Sequence, residues 1–247
     1  MKKLKTIVLS LVIFCPFSLL QSQTNENPEN GYQKWRVGIS GGMSYLIGST
    51  KEAKKGMVDK GLSTKLVNDY YSDFKLGTTA NVDVQYFFKP KYGLGAKYIF
   101  YSNSAKLGEK VSLDMIGDGS LFYGAIEEQV YVSYVGPTFS TREFFGSQKK
   151  WAMTSLLSIG YVHYRNESLI VDMPLLATGN TFGWHGAIGV EYNLSEKVAL
   201  GLDLSYMYAF LFKMKLSDGS STQSIDLDDN KENLSRLDLG LNLKFYF

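Results

Sequence analysis

From Leu237 to Phe247 the chain alternates. Leu237, Leu239, Leu241, Leu243, Phe245 and Phe247 take every second position, and Asp238, Gly240, Asn242, Lys244 and Tyr246 lie between them. A period of two belongs to a β-strand, whose side chains point to opposite faces in turn; a helix would scatter these leucines around its circumference. The same alternation runs through Val198, Leu200, Leu202, Leu204, Tyr206, Tyr208, Phe210 and Phe212, and through Phe182, Trp184, Ile188, Val190 and Tyr192. Nearer the N-terminus it recurs in Trp35, Val37, Ile39 and Met43, then in Val82, Val84, Tyr86 and Phe88, and then in Tyr92, Leu94, Ala96, Tyr98 and Phe100. Two further strands, over 127–142 and 150–165, are less regular. The first is apolar on both faces and carries Pro137, which predicts a bulge or a strand edge. In the second, Leu156 and Leu157 blur the parity. The total is about eight strands.

The connections between these strands alternate in length. Lys89-Pro90-Lys91, Gly146-Ser147-Gln148 and Leu194-Ser195-Glu196 make short turns, whereas 47–73, 102–126, 166–179 and 214–232 are long, polar and read as irregular. All short turns therefore fall at one end and all long loops at the other, as in membrane barrels and unlike the Greek-key links of soluble sandwiches. Pairing Phe88 with Tyr92 across Pro90 sets Tyr86 against Leu94, Val84 against Ala96 and Val82 against Tyr98. On the other face the same register sets Asp83 against Lys97. Apolar side chains outside and a charge pair inside suit a wall facing hydrocarbon. Aromatic residues form two belts. Trp35, Phe88, Tyr92, Trp151, Tyr192, Phe245 and Phe247 lie at the short-turn end; Tyr98, Phe100, Tyr161, Phe182, Trp184, Phe210 and Phe212 lie toward the long loops. The pattern predicts an all-β fold, an eight-stranded antiparallel up-and-down transmembrane β-barrel with short periplasmic turns and long external loops. The competing reading is a secreted β-sandwich with these aromatics in its core.

The first residues change where this barrel is expected. Lys2, Lys3 and Lys5 precede an almost wholly apolar run from Thr6 to Leu20, and Leu20-Gln21-Ser22 offers a cleavage site, so 1–22 reads as a secretory signal peptide. Cys15 follows Phe14, where a lipoprotein signal needs a small residue, and belongs to the discarded segment. The expected organisation is thus signal 1–22, a short polar segment 23–33 and a barrel 34–247. Of the 26 Lys and Arg, three leave with the signal; the remaining 23 face 24 Asp and Glu, and the apparent positive excess becomes −1. A nucleic-acid partner, which needs a clustered basic face, is not expected. The mature chain has no cysteine and so no disulfide framework. Beyond residue 22 no apolar run reaches the roughly 18 residues that a spanning helix needs.

In these features, from about Lys34 to Phe247, the chain resembles the small outer-membrane β-barrel family that includes OmpA-like and OmpX-like domains. The most specific element is the C-terminal strand ending in Phe247. Gly136-Pro137-Thr138-Phe139-Ser140 and Asn233-Leu234-Ser235-Arg236 also look like stretches in uncharacterised members. The resemblance implies an outer-membrane location, outer-membrane lipid around the wall, and a signal for the barrel-insertion machinery carried by Leu241, Leu243, Phe245 and Phe247. Unlike full-length OmpA-like proteins, the sequence shows no peptidoglycan-binding domain after the barrel, so a cell-wall tether is not expected. The family is functionally broad, so fold and location are implied more than activity.

Candidate chemistry is sparse. Strand parity points Arg36, Asp83, Lys97, Glu191, Asp203, Arg236, Asp238 and Lys244 inward, into a lumen that eight strands make just wide enough for side chains. They read either as a narrow ion path or, preferably, as a paired network that plugs the barrel. His163 is expected to point out and His185 in, which excludes a shared metal site, and no cofactor is expected. His163 with Ser158 or Ser168 and Glu167 is the one arrangement that suggests a lipid-modifying hydrolase, and proximity in sequence does not make a triad. Gly38-Ile39-Ser40-Gly41-Gly42 lacks the following helix that a phosphate loop requires. Met57, Leu62, Leu66, Tyr70 and Phe74 predict a short amphipathic helix, either across the barrel mouth or along the outer leaflet. Asp226, Asp228, Asp229 and Glu232 make an acidic loop without an ordered cation-ligand pattern. The leading expectation is a non-enzymatic barrel that presents external loops for surface interaction or envelope integrity; a small solute pore comes second and a lipid-modifying enzyme third.

Overall fold

The computed structural model describes residues 32–107, 110–114, 120–146, 149–227 and 231–247. The expected signal segment and most of 23–33 lie outside the described residues, as do Ser147, Gln148, Asp228 and Asp229. Residues Gln33–Phe247 form one compact unit. Its wall is a ring of eight antiparallel strands: β1 (Trp35–Leu46), β2 (Leu76–Lys89), β3 (Tyr92–Lys106), β6 (Ile126–Phe145), β7 (Trp151–Ile170), β8 (Met173–Asn193), β9 (Val198–Leu211) and β13 (Arg236–Tyr246). Each pairs with the next in that order, and β13 closes the ring on β1 in unbroken register from Arg36↔Tyr246 to Leu46↔Arg236. Closure leaves the ring no free edge, which a sheet surrounded by hydrocarbon requires because lipid offers its backbone groups no partner. Among the described residues no helix is long and apolar enough to cross a membrane; here strands would cross.

The outward face of the spanning strands is apolar. Ile39, Val82, Leu94, Val135, Ile159, Ile188, Leu202 and Leu241 are all exposed. The aromatic belts bound them: Trp35 packs on Tyr86 (ring centroids 5.0 Å) and Trp151 on Tyr192 (4.9 Å) at one end, Tyr161 on Phe182 (6.3 Å) and Tyr208 on Phe210 (5.1 Å) at the other. An apolar exterior of this kind is stable in hydrocarbon and a liability in water.

The hairpin register is as expected from Tyr86↔Leu94 to Val82↔Tyr98, with Asp83 opposite Lys97, but Phe88 does not face Tyr92. Lys89 does, and Phe88 is the extra residue of a β-bulge at the turn. At Pro137, where a bulge or edge was expected, the register runs straight through: Ala96 faces Pro137 on one side, and Val135↔Tyr161 and Thr138↔Ser158 keep one alignment on the other. The cost is local. The rungs at Gly136 and Pro137 are missing toward β7, and the Ser158 hydroxyl donates to the Pro137 carbonyl instead (2.7 Å). Leu156 is buried and Leu157 exposed, which resolves the blurred parity.

The long connections are more ordered than their polarity suggests. Residues 166–179 are not a loop: β7 and β8 continue, paired from Trp151↔Tyr192 to Ile170↔Met173. They meet in a two-residue turn, Val171 (φ 53°) and Asp172 (φ 62°), the left-handed pair of a tight hairpin. A valine is disfavoured there, and burial of its side chain against the neighbouring loops offsets that cost. The first connection holds two helices rather than one, α1 (Lys51–Asp59) and α2 (Thr64–Lys75). The second contains the hairpin β4 (Val111–Asp114) and β5 (Leu121–Gly124), and the fourth contains β10 (Lys213–Ser217), β11 (Thr222–Asp226) and β12 (Glu232–Asn233). Since a spanning strand needs about 9–11 residues, β6, β7 and β8, at 20, 20 and 21, rise well beyond the membrane, and β10 adds to their sheet through β8.

At the β1–β13 seam, Gly42 faces Gly240 so tightly that a Cβ on Gly42 would sit 2.0 Å from the Leu239 carbonyl oxygen. Gly42→Val is expected to abolish the compact, heat-modifiable band on unboiled gels. Gly186→Ala, whose added carbon would meet only Leu157 at 3.7 Å, is expected to keep it.

Candidate functional site

The interior is built in two layers. Near the short turns it is charged. Glu191 on β8 accepts from the Tyr246 hydroxyl (2.7 Å) and from Lys244, and lies 4.0 Å from Arg36. Arg36 pairs with Asp83 (2.9 Å), and Lys244 is 4.0 Å from Asp203. Lys97, buried, lines the same space. These side chains converge because β1, β2, β3, β8, β9 and β13 each offer inward positions at one height of the wall. Gly189 makes room for Asp203, whose carboxylate would lie 2.0 Å from a Cβ there. Arg236 and Asp238 form a pair of their own (3.2 Å), with the guanidinium 4.6 Å over the Tyr101 ring.

Further residues complete the charged layer and were not singled out from the sequence. The Arg142 guanidinium lies over Phe87 (4.2 Å) and Tyr246 (5.0 Å) and donates to the Pro90 carbonyl (3.3 Å). Gln85 bridges Thr138 (2.7 Å) and Ser140 (3.1 Å). Parity alone would have found Tyr246, which has the phase of Lys244. Arg142 was hidden because its strand is apolar on both faces. The cavity left among Arg36, Asp83, Lys97, Asp203 and Lys244 is ≈ 20 Å³, room for about one water.

Toward the loops the interior becomes apolar, which polar-inside parity did not anticipate. Ile99, Val130, Val132, Val162, Met207 and Leu211 pack there with Tyr101 and Tyr164. The outward face changes in the opposite sense: along β7 it passes from Ile159 and Tyr161 to His163, Arg165 and Glu167. Each long strand thus leaves hydrocarbon and becomes the wall of an ordinary globular core.

Helix α2 lies over this core. Ser63 caps it by accepting from the Leu66 amide (3.3 Å), and its Val67 and Tyr70 are buried. The Tyr70 hydroxyl donates to Glu128 (2.5 Å), whose other oxygen accepts from Asn166 (2.6 Å), and Asn103 donates to the Phe74 carbonyl. Burial, reinforced by the Glu128 carboxylate, pushes the Tyr70 hydroxyl far above the usual tyrosine range, so it stays a donor. Leu62, Val67, Tyr70, Leu107, Val111, Ile126 and Val171 form a second apolar cluster that ties the first three connections together. A chamber of ≈ 120 Å³ remains between Leu46, Phe74, Tyr101, Val130, Tyr164 and Leu234.

No catalytic constellation is assembled from the candidates. His163 faces outward and contacts Asn180 (2.7 Å), whereas Ser158 faces inward and contacts Tyr134 (2.5 Å). Ser168 bonds Asn166 (3.1 Å) and Glu167 pairs with Arg165 (2.5 Å). His185 is buried inside the barrel. Among the described residues no group of three His, Cys, Asp or Glu side chains could hold a metal ion. In the acidic loop, Asp226 pairs with Lys213 (2.8 Å). Leu241, Leu243, Phe245 and Phe247 lie along the outward face at the end of β13, between β1 and β9.

The sequence matches no family model and no curated protein. Solved structures are similar to it. A major outer membrane protein from Thermus thermophilus superposes with a TM-score of 0.51 at 13% identity, covering 86% of this chain and 99% of that one. The chain has the fold of a small outer-membrane β-barrel. The outer membrane protein OprG from Pseudomonas aeruginosa (TM-score 0.48, 12% identity, 88% and 99% covered) and the outer membrane protease OmpT from Escherichia coli (0.44, 10%, 92% and 99%) are similar at lower scores. At these identities the likeness concerns the barrel and carries no activity with it.

Three substitutions probe the two layers and the exposed rim. Glu191→Leu leaves Lys244 and Arg36 short of their shared acceptor and is expected to cost about 3–5 kcal/mol in urea unfolding from lipid vesicles. Lys91→Gln, which breaks the exposed pair with Glu143, is expected to cost about 1 kcal/mol or less. Tyr70→Phe is expected to speed amide exchange across Thr64–Lys75 by about tenfold or more, from the loss of a hydrogen bond to a charged group, while the barrel amides stay protected.

Proposed function

We propose that this chain is exported with loss of residues 1–22 and resides in the outer membrane, its short turns in the periplasm and its helices and extended sheet outside. It acts there as a non-enzymatic barrel whose external layer serves surface interaction or envelope integrity. The observation that carries this reading is the distribution of order. The lumen is occupied by paired charges below and an apolar core above, and the parts rising beyond the membrane form a packed structure of strands and helices. A rigid wall that presents structured connections is how such scaffolds usually carry function.

Leu241, Leu243, Phe245 and Phe247 would be read by the insertion machinery while β13 is still unpaired. In the finished barrel the charged layer, Arg36, Asp83, Lys97, Glu191, Asp203 and Lys244, closes the lumen, with Arg236 and Asp238 above it. The ligand of the external layer would be sought among molecules of the surrounding medium or neighbouring cell surfaces.

The test is reconstitution. Detergent-folded protein is expected to run as a heat-modifiable band with a β-rich circular dichroism spectrum, and to leave planar bilayers electrically sealed after many insertions. Stepwise single-channel conductance would favour the solute-pore alternative. Hydrolysis of outer-leaflet lipid by the purified barrel, read by mass spectrometry of the acyl chains, would favour the enzyme. A detergent-independent soluble protein would overturn the membrane placement.

A further inference from the structure

The end of the barrel that bears the short turns is strongly basic. Lys34, Lys89, Lys91, Lys149, Lys150 and Lys197 are exposed there, against the two exposed acids Glu143 and Glu196. They are spread around the ring: one where the chain enters β1, two flanking the β2–β3 turn, two before β7 and one before β9. Four of them adjoin a residue of the lower aromatic belt directly in sequence, as Lys34-Trp35, Phe88-Lys89, Lys91-Tyr92 and Lys150-Trp151. Aromatic side chains of such a belt sit at headgroup level, so these ammonium groups are held at the depth of the lipid phosphates on that side.

The other end disposes of its surface bases differently. Lys106 pairs with Glu127, Lys110 with Asp172 (3.3 Å), Arg165 with Glu167 (2.5 Å) and Lys213 with Asp226 (2.8 Å), and the exposed Lys51, Lys55, Lys60 and Lys65 are interspersed with the exposed acids Glu52, Asp59, Asp69 and Asp73. At the short-turn end Lys91 pairs with Glu143 (2.7 Å), while Lys34, Lys89, Lys150 and Lys197 form no ion pair among the described residues. A predominantly basic ring at fixed headgroup depth, opposite an end where exposed bases and acids are intermixed, has the charge and position to hold anions of the membrane surface.

We propose that these lysines form a collar that binds the phosphate groups of anionic phospholipids in the leaflet on the short-turn side. The proposal rests on the membrane placement given above, which makes that leaflet the periplasmic one. Each ammonium near an anionic surface is worth about a fivefold gain in association, so the collar enriches anionic lipid around the protein and orients the barrel by the asymmetry of its two rims.

The test uses the refolded chain in nanodiscs of phosphatidylethanolamine with a minority of phosphatidylglycerol, and native mass spectrometry of the lipids retained on release. The wild type is expected to retain phosphatidylglycerol at about fivefold or more above its input ratio, and added salt should reduce the excess. The combined variant Lys34→Gln, Lys89→Gln, Lys150→Gln and Lys197→Gln is expected to lose the enrichment while keeping its heat-modifiable band. Lys106→Gln with Lys110→Gln, at the other rim, is expected to keep the enrichment. No enrichment in the wild type, or enrichment that survives in the four-lysine variant, overturns the collar. Lysine-dependent sedimentation with peptidoglycan sacculi without lipid enrichment also overturns it, and assigns the basic rim to a cell-wall polymer. A protein that does not enter the disc removes the membrane placement itself; one that enters without enrichment removes the collar alone.

Discussion

A strand that crosses hydrocarbon can satisfy its backbone donors and acceptors only on another strand, and a sheet can do so at both edges only by closing on itself. The β1–β13 pairing, which joins the first and last strands of the ring, is therefore the interaction on which the rest depends. Once the ring is closed, every residue of every strand is assigned to one of two spaces by parity alone. The outer space takes leucines, isoleucines and aromatics without penalty. The inner space is too narrow for bulk water, so each charge placed there must find a partner. Glu191 answers to this constraint, gathering Lys244, Tyr246 and Arg36 about a single carboxylate.

The closed ring also explains why the interior is not uniform. Below, the outward face is apolar and the inward face charged; above, the outward face turns polar while the inward face fills with Ile99, Val132, Val162 and Leu211. The change follows the solvent outside the wall. A strand surrounded by water gains by burying its apolar face inside, as in any soluble protein. A strand surrounded by lipid gains nothing from doing so, and can give its interior to ion pairs. The exchange of roles lets one set of strands serve as membrane wall and as foundation of an external domain-like cap, to which α2 is fastened through Tyr70 and Glu128.

The placement of His163 and Ser158 on opposite sides of one strand shows how decisively parity limits chemistry in such a fold. Residues five apart in the chain are separated by the wall itself, and no loop movement at the rim brings them together. What remains variable in a closed barrel is the surface at its two ends. Here one end is a compact assembly of helices and hairpins with intermixed charges, and the other a ring of lysines just beyond an aromatic belt.

Much of this was legible in the sequence because a period of two reports the face directly. The strand order, the β2–β3 register with Asp83 opposite Lys97, the two belts and the inward set from Arg36 to Lys244 follow from local alternation and turn length. Other features depended on contacts between residues far apart. The polar stretch 166–179 hid two paired strands, since above the membrane the outward face no longer advertises itself with apolar residues. Pro137 stayed in register because β3 pairs with it from one side and, where the rungs to β7 are missing, the Ser158 hydroxyl donates to its carbonyl. Arg142 found its place over Phe87 and Tyr246, and α2 over the apolar mouth, only when strands distant in the chain met around the ring. The sequence by itself determined which face each spanning residue takes, because that is set by the geometry of one strand against its solvent. The tertiary structure alone decided which inward side chains share a height and which connections fold on one another, because those contacts exist only after the ring has closed.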